Sequence, residues 1–287
     1  MRHTLCTSVH PMSRTSTRDR FSAASRLGDY RIDRELRTED TGVVYLGTHM
    51  VLPRKAELKV MHADQGWLRA AAVSVLREAC LLEALSHPGI PRVFECGVLP
   101  DRRPWSAIGH VDGTPLDGGV LAISDLVPLL RDVGEILEHA HARGVTHGRV
   151  AAEHVLRVEG GRFAVCLRGW ADATTTDSTD RHPCQPADDV RGLGRIAVRA
   201  LTGEADDGTS VVTRCPSAPV ELTTLIDRML AGDATSGEVR ECAGWLAATV
   251  ELMPTKTRWT PVHGVGADKL PAPTDAFQIR ISRTPTR

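Results

Sequence analysis

Five stretches between Tyr30 and Val111 read as strands, whereas past Thr114 the apolar residues recur mostly at helical spacing. The strand candidates are YRIDREL, VVYLGTH, AELKVMH, RVFECGVL and PWSAIGHV. One helix interrupts them, from about Gln65 to Leu85, with Leu68, Ala72, Val75, Ala79 and Leu82 on one face; HPGIP ends it. In the second part, Asp125–Arg143 repeats Leu126, Leu130, Val133, Leu137 and Ala140 and stops at Gly144. Two short strands, HVLRV and FAVCL, flank the turn EGG, and the polar loop ADATTTDSTDRHPCQPA follows. Further helices are expected from Asp188 or Asp189 to Gly203, then over 219–231 and 237–250. The joint falls near His110–Thr114. Strands and helices segregated in this way predict an α+β fold, not a doubly wound sheet.

The ends differ from this ordered span. Residues 1–27 are rich in Ser, Thr and Arg without periodicity, and residues 252–287 are rich in Pro, Thr and Arg. Disorder is expected for the first and a flexible tail for the second. A net charge of −1 gives no basic field for nucleic acid or a membrane surface. No apolar run approaches the roughly 20 residues of a membrane span, and Arg2 has no apolar run after it, so no secretory signal is expected. Seven scattered Cys without a CxxC pair point away from disulfides and zinc and toward a reducing, cytoplasmic compartment.

The order and spacing of GVVYLGTH, AELKV, REA, HARGVTHG and DDVRGLGRIAVRALTGE resemble the protein kinases, specifically the bacterial Ser/Thr kinases. The resemblance runs from about Leu27 to Thr249. It implies a bilobal domain over 28–251, with a small β-rich N-lobe (28–111) carrying one helix and a larger helical C-lobe (112–251).

Phosphoryl transfer rests on positioning and electrostatics: metal ions held, phosphates cradled, a hydroxyl oriented by a carboxylate. Where the family has a G-x-G-x-x-G loop, this chain reads Arg37-Thr38-Glu39-Asp40-Thr41-Gly42, and only the last glycine remains. Glu39 and Asp40 place negative charge where phosphates would lie. By the resemblance, Lys59 is the phosphate-pairing lysine and Glu78 its helix partner. Gly109 and Val111 of the hinge would offer backbone contacts to adenine. Glu57 replaces a small residue that packs on the base; it is expected to turn outward or to pair with Lys59. The family's H-R-D-L-K-P-E-N reads His147-Gly148-Arg149-Val150-Ala151-Ala152-Glu153-His154. The acid that orients substrate is thus Arg149, which cannot accept a proton. The transition-state lysine is Ala151. The metal-binding Asn is His154, a poor ligand for Mg²⁺. The D-F-G motif is Leu167-Arg168-Gly169, so the main metal carboxylate is a leucine. Asp189 matches the helix Asp that anchors the catalytic-loop backbone.

Groups that act as a unit lose most of their rate together. The expectation is a catalytically inactive kinase-like domain, a pseudokinase, acting as a protein-binding or regulatory scaffold in Ser/Thr phosphosignalling. Its partners would be other proteins: an active Ser/Thr kinase or the substrates of one. No metal and no cofactor are expected, and ATP, if it enters, does so without Mg²⁺. The alternative is an ATP-binding Ser/Thr kinase with residual or non-standard phosphotransfer. The Thr-rich loop at 174–179 and the tail at 284–287 offer hydroxyls to a partner kinase, though a plain linker accounts for both.

Overall fold

The computed structural model describes residues 20–63, 69–116, 119–159, 163–177 and 183–250. The first half forms β1 (Arg26–Leu27), β2 (Tyr30–Glu39), β3 (Gly42–His49), β4 (Lys55–Met61), α1 (Arg69–Leu85), β5 (Val93–Val98) and β6 (Pro104–Gly109). The strands make one antiparallel sheet of order β1-β2-β3-β4-β6-β5. Side chains alternate across a strand. Tyr30 and Ile32, Val43 and Tyr45, Ala56, Leu58 and Val60, and Trp105 and Ala107 therefore gather into one apolar cluster. Glu57 and Lys59, one residue out of phase, are carried by the opposite face of β4. Gly42 survives for a packing reason: a Cβ there would lie 2.2 Å from the Val60 carbonyl oxygen.

The expectation of disorder through residue 27 is corrected for residues 20–27. Leu27 is buried in the sheet cluster, and Phe21 packs edge-on against Tyr45 with ring centroids 6.0 Å apart. Arg20 reaches Glu35 at 3.3 Å. Without this strap the apolar face of β2 and β3 would meet water, and a two-residue strand gives no alternation from which to foresee it. Residues 1–19, the segment 64–68 and residues 251–287 lie outside the described residues, and with them the start of the long-helix expectation and the whole tail.

The second half contains β7 (Thr114–Pro115), α2 (Ile123–His141), β8 (Val145–Thr146), β9 (Val155–Arg157), β10 (Val165–Leu167), β11 (Thr174–Thr175), α3 (Pro186–Thr202), α4 (Val211–Arg214), α5 (Val220–Ala231) and α6 (Ser236–Val250). Among the described residues, β10-β9-β7 and β11-β8 form two small sheets. Helix α2 is the axis of the larger core, with Leu126, Leu130, Val133, Leu137 and Ala140 all buried and α6 and α3 packed on it. Helix α3 starts at Pro186, ahead of the expected Asp188 or Asp189. The Asp188 carboxylate accepts the Gln185 N–H at 2.9 Å, with proline in the first turn. Asp189 is thereby left to point inward.

Candidate functional site

A cleft of about 540 Å³ lies between the sheet and the helical half. Its floor is held by Asp189, whose side chain is fully buried. One carboxylate oxygen accepts the Gly148 N–H at 2.8 Å; the other accepts the His147 N–H at 2.8 Å and faces His141 Nε2 at 2.8 Å. His141 Nδ1 continues to Ser236 Oγ at 3.0 Å. Gly148 takes φ +80°, which favours glycine, and a Cβ there would lie 2.9 Å from the Asp172 carbonyl.

The His147 ring sits against Trp170, with centroids 4.6 Å apart. Burial, only partly opposed by Asp189, pushes its pKa down to about 4. The neutral ring then donates from Nε2 to the Arg168 carbonyl at 3.0 Å and accepts the Arg149 N–H on Nδ1 at 3.2 Å. His154 lies on the same floor and its Nδ1 donates to the Arg149 carbonyl at 2.9 Å. Its ring fills the space beside Gly169, where φ is +87° and a Cβ would come within 2.7 Å.

The side chain of Arg149 is exposed and 3.6 Å from Asp172 Oδ2. Ala151 brings no functional group. Leu167 is fully buried in the core, and its carbonyl accepts the Trp170 indole N–H at 2.8 Å. Arg168 donates through Nε and Nη2 to the Glu153 carbonyl at 3.3 and 3.2 Å.

The roof is a chain of alternating charge. Lys59, buried on β4, contacts Glu78 of α1 at 2.9 Å and Glu39 of β2 at 2.9 Å. Arg37 reaches Glu39 at 2.8 Å and Glu57 at 2.7 Å. Glu57 also meets His110 Nδ1 at 3.3 Å, and His110 Nε2 faces Asp112 at 3.3 Å. Burial alone would lower the Lys59 pKa, but Glu78 and Glu39 outweigh it and hold the ammonium above the usual lysine value. Burial likewise opposes charge on Glu39, and Lys59 and Arg37 outweigh it, keeping this carboxyl below the usual range. The expectation for Glu57 is corrected: it binds Arg37 and His110 rather than Lys59 or solvent alone. Neither Glu39 as a partner of Lys59 nor His110 as an ionic partner was foreseen from sequence. The negative charge of Glu39 in the phosphate region is the signal from which the first could be read.

Gly109 and Val111 line the cleft beside Ile108. Along it, the carboxylates of Glu39, Asp40, Glu57, Glu78, Glu153 and Asp172 outnumber the cations of Arg37, Lys59, Arg149 and Arg168. The residues do not fit the metal that phosphotransfer needs. Leu167 is apolar and buried, and among the described residues no group of three or more His, Cys, Asp or Glu could hold an ion. Among the described residues, no helix is long and apolar enough to cross a membrane.

No family model matches the chain. The Ser/Thr-protein kinase Pkn1 of Myxococcus xanthus is 30% identical over 136 residues, 46% of this chain and 20% of Pkn1. The Ser/Thr-protein kinase PknJ of Mycobacterium tuberculosis is 29% identical over 194 residues, 66% of this chain and 32% of PknJ. The chain thus spans only 20–32% of the length of these curated relatives. Among solved structures, the PknI kinase domain of M. tuberculosis superposes with a TM-score of 0.57 at 21% identity, covering 80% of this chain and 99% of that domain. The fold is that of a protein kinase, and the homologues of the chain are bacterial Ser/Thr protein kinases.

Proposed function

We propose that this kinase-like domain does not transfer phosphate and serves Ser/Thr phosphosignalling as a binding or regulatory scaffold in the cytoplasm. Its partner is another protein, an active kinase or a substrate of one. The observation that carries the reading is Leu167: the position of the metal-holding carboxylate is a leucine sealed in the core. Arg149 at the position of the substrate-orienting acid, Ala151 and His154 agree with it. Glu39 acts as a resident anion on Lys59, occupying the charge that a nucleotide phosphate would seek.

One observation favours a second reading, an ATP-binding kinase with non-standard transfer. Lys59 and Glu78 are paired at 2.9 Å beside an open cleft. Melting of the full chain with and without Mg²⁺-ATP separates the two. Binding at 100 times the dissociation constant adds about 2.7 kcal/mol to stability, a rise of several degrees for a domain of this size. No rise is expected. A rise abolished by Lys59→Ala would establish a nucleotide site, and transfer of labelled phosphate lost in the same variant would overturn the non-catalytic reading.

A further inference from the structure

We infer that the mouth of the cleft is a binding site for a phosphorylated Ser or Thr side chain of a partner, centred on Arg149 and Arg168. The inference rests on the non-catalytic reading and names the ligand of the same cleft. Both arginines line it, and both backbones are fixed by imidazoles: His154 and His147 grip Arg149 from its carbonyl and its N–H, and His147 takes the Arg168 carbonyl. The Arg168 guanidinium is further oriented by two bonds to the Glu153 carbonyl. These bonds use the Nε edge of the guanidinium and leave its Nη1/Nη2 end, held in a fixed plane, for phosphate oxygens.

Arg149 has only a loose local partner. Asp172 lies 3.6 Å away, and the two side chains are 62% and 59% exposed. That separation exceeds the 2.7–2.9 Å of a charge-assisted bond, so a phosphate dianion can displace the carboxylate. The position itself selects the ligand. In the fold's phosphotransferases an acid here receives a substrate hydroxyl. A cation at the same place rewards the phosphorylated form of that side chain. The roof of the cleft argues against a polyphosphate: Glu39, Glu57 and Glu78 outnumber Arg37 and Lys59 there, and Lys59 is already engaged by Glu39 and Glu78.

The test is fluorescence anisotropy of the full chain, without nucleotide, using a labelled alanine-based peptide with one phosphothreonine and the same peptide with threonine. The phosphopeptide is expected to bind at least tenfold tighter. Arg149→Ala should abolish that preference with the melting temperature unchanged. Asp172→Asn, which removes the competing carboxylate, should tighten binding several-fold, and Lys59→Met should leave it unaltered. Equal binding of the two peptides, or a preference that survives Arg149→Ala, overturns the inference. So does inorganic phosphate displacing the peptide as effectively as unlabelled phosphopeptide, which would mark an adventitious anion site. Dependence on Lys59 would move the anion to the nucleotide region and equally overturn it. A failure here without phosphate transfer in the separate kinase assay leaves the scaffold reading standing.

Discussion

Asp189 and Lys59 are both buried charges with several partners, one in the floor of the cleft and one in its roof. Asp189 is surrounded by two backbone N–H groups and an imidazole. Lys59 is surrounded by two carboxylates, one of them, Glu39, 28% exposed. The floor hub fixes the path of the chain through residues 147 and 148 and does so whether or not a ligand is near. The roof hub fixes no backbone; it neutralises a cation. The floor therefore orders the loop by backbone hydrogen bonds, while the roof balances charge between side chains.

Breaking the floor tests this most severely. Asp189→Ala strands the buried His147 N–H, the half-buried Gly148 N–H and His141, and is expected to cost about 3–5 kcal/mol. Thermal melting should fall by about 6 °C or more; a loss of only a degree or two would mean that the hub is not what holds the loop.

The next effect sharpens the same contrast through pH. His147 is neutral in the folded chain, with a pKa of about 4 against the ordinary 6.5, so between those values the unfolded chain binds more protons. Its contribution is complete above about pH 6.5 and is lost as pH falls toward 4, amounting to about 3 kcal/mol at most. Denaturant unfolding across that window should show the slope, and His147→Asn should flatten it.

In the roof, Lys59→Met leaves Glu78 and Glu39 facing each other. Partial exposure and Arg37 soften the consequence, so a loss of about 2 kcal/mol is expected, smaller than at Asp189. A larger loss than at Asp189, measured by the same denaturant series, would reverse the comparison.

Legibility from sequence follows the same division. The core face of α2 and the stop at Gly203 were readable because periodicity and left-handed glycine caps are local. The Lys59–Glu78 and Asp189 positions were readable because they sit at fixed places in a recognisable order of elements. The two-residue strands β1, β7, β8 and β11 carry too little pattern to register. Nor does local pattern say which of several acids a cation chooses. Glu57 had Lys59 two residues away, yet the geometry of the sheet gives it Arg37, twenty positions earlier, and His110, fifty-three later.

Leu167 sets how steep a single substitution toward a metal carboxylate would be. Arg149→Asp changes an exposed side chain, and His154→Asn opens space beside Gly169, so each is a shallow step. Leu167→Asp is a steep one. It would place an unpaired carboxylate among Val155, Val165 and Trp170 in the larger core, at a cost of several kcal/mol. No metal would be present to repay it until the other ligands had also changed. The barrier to placing a metal-holding carboxylate at this position is thus set by packing rather than by the chemistry of the cleft.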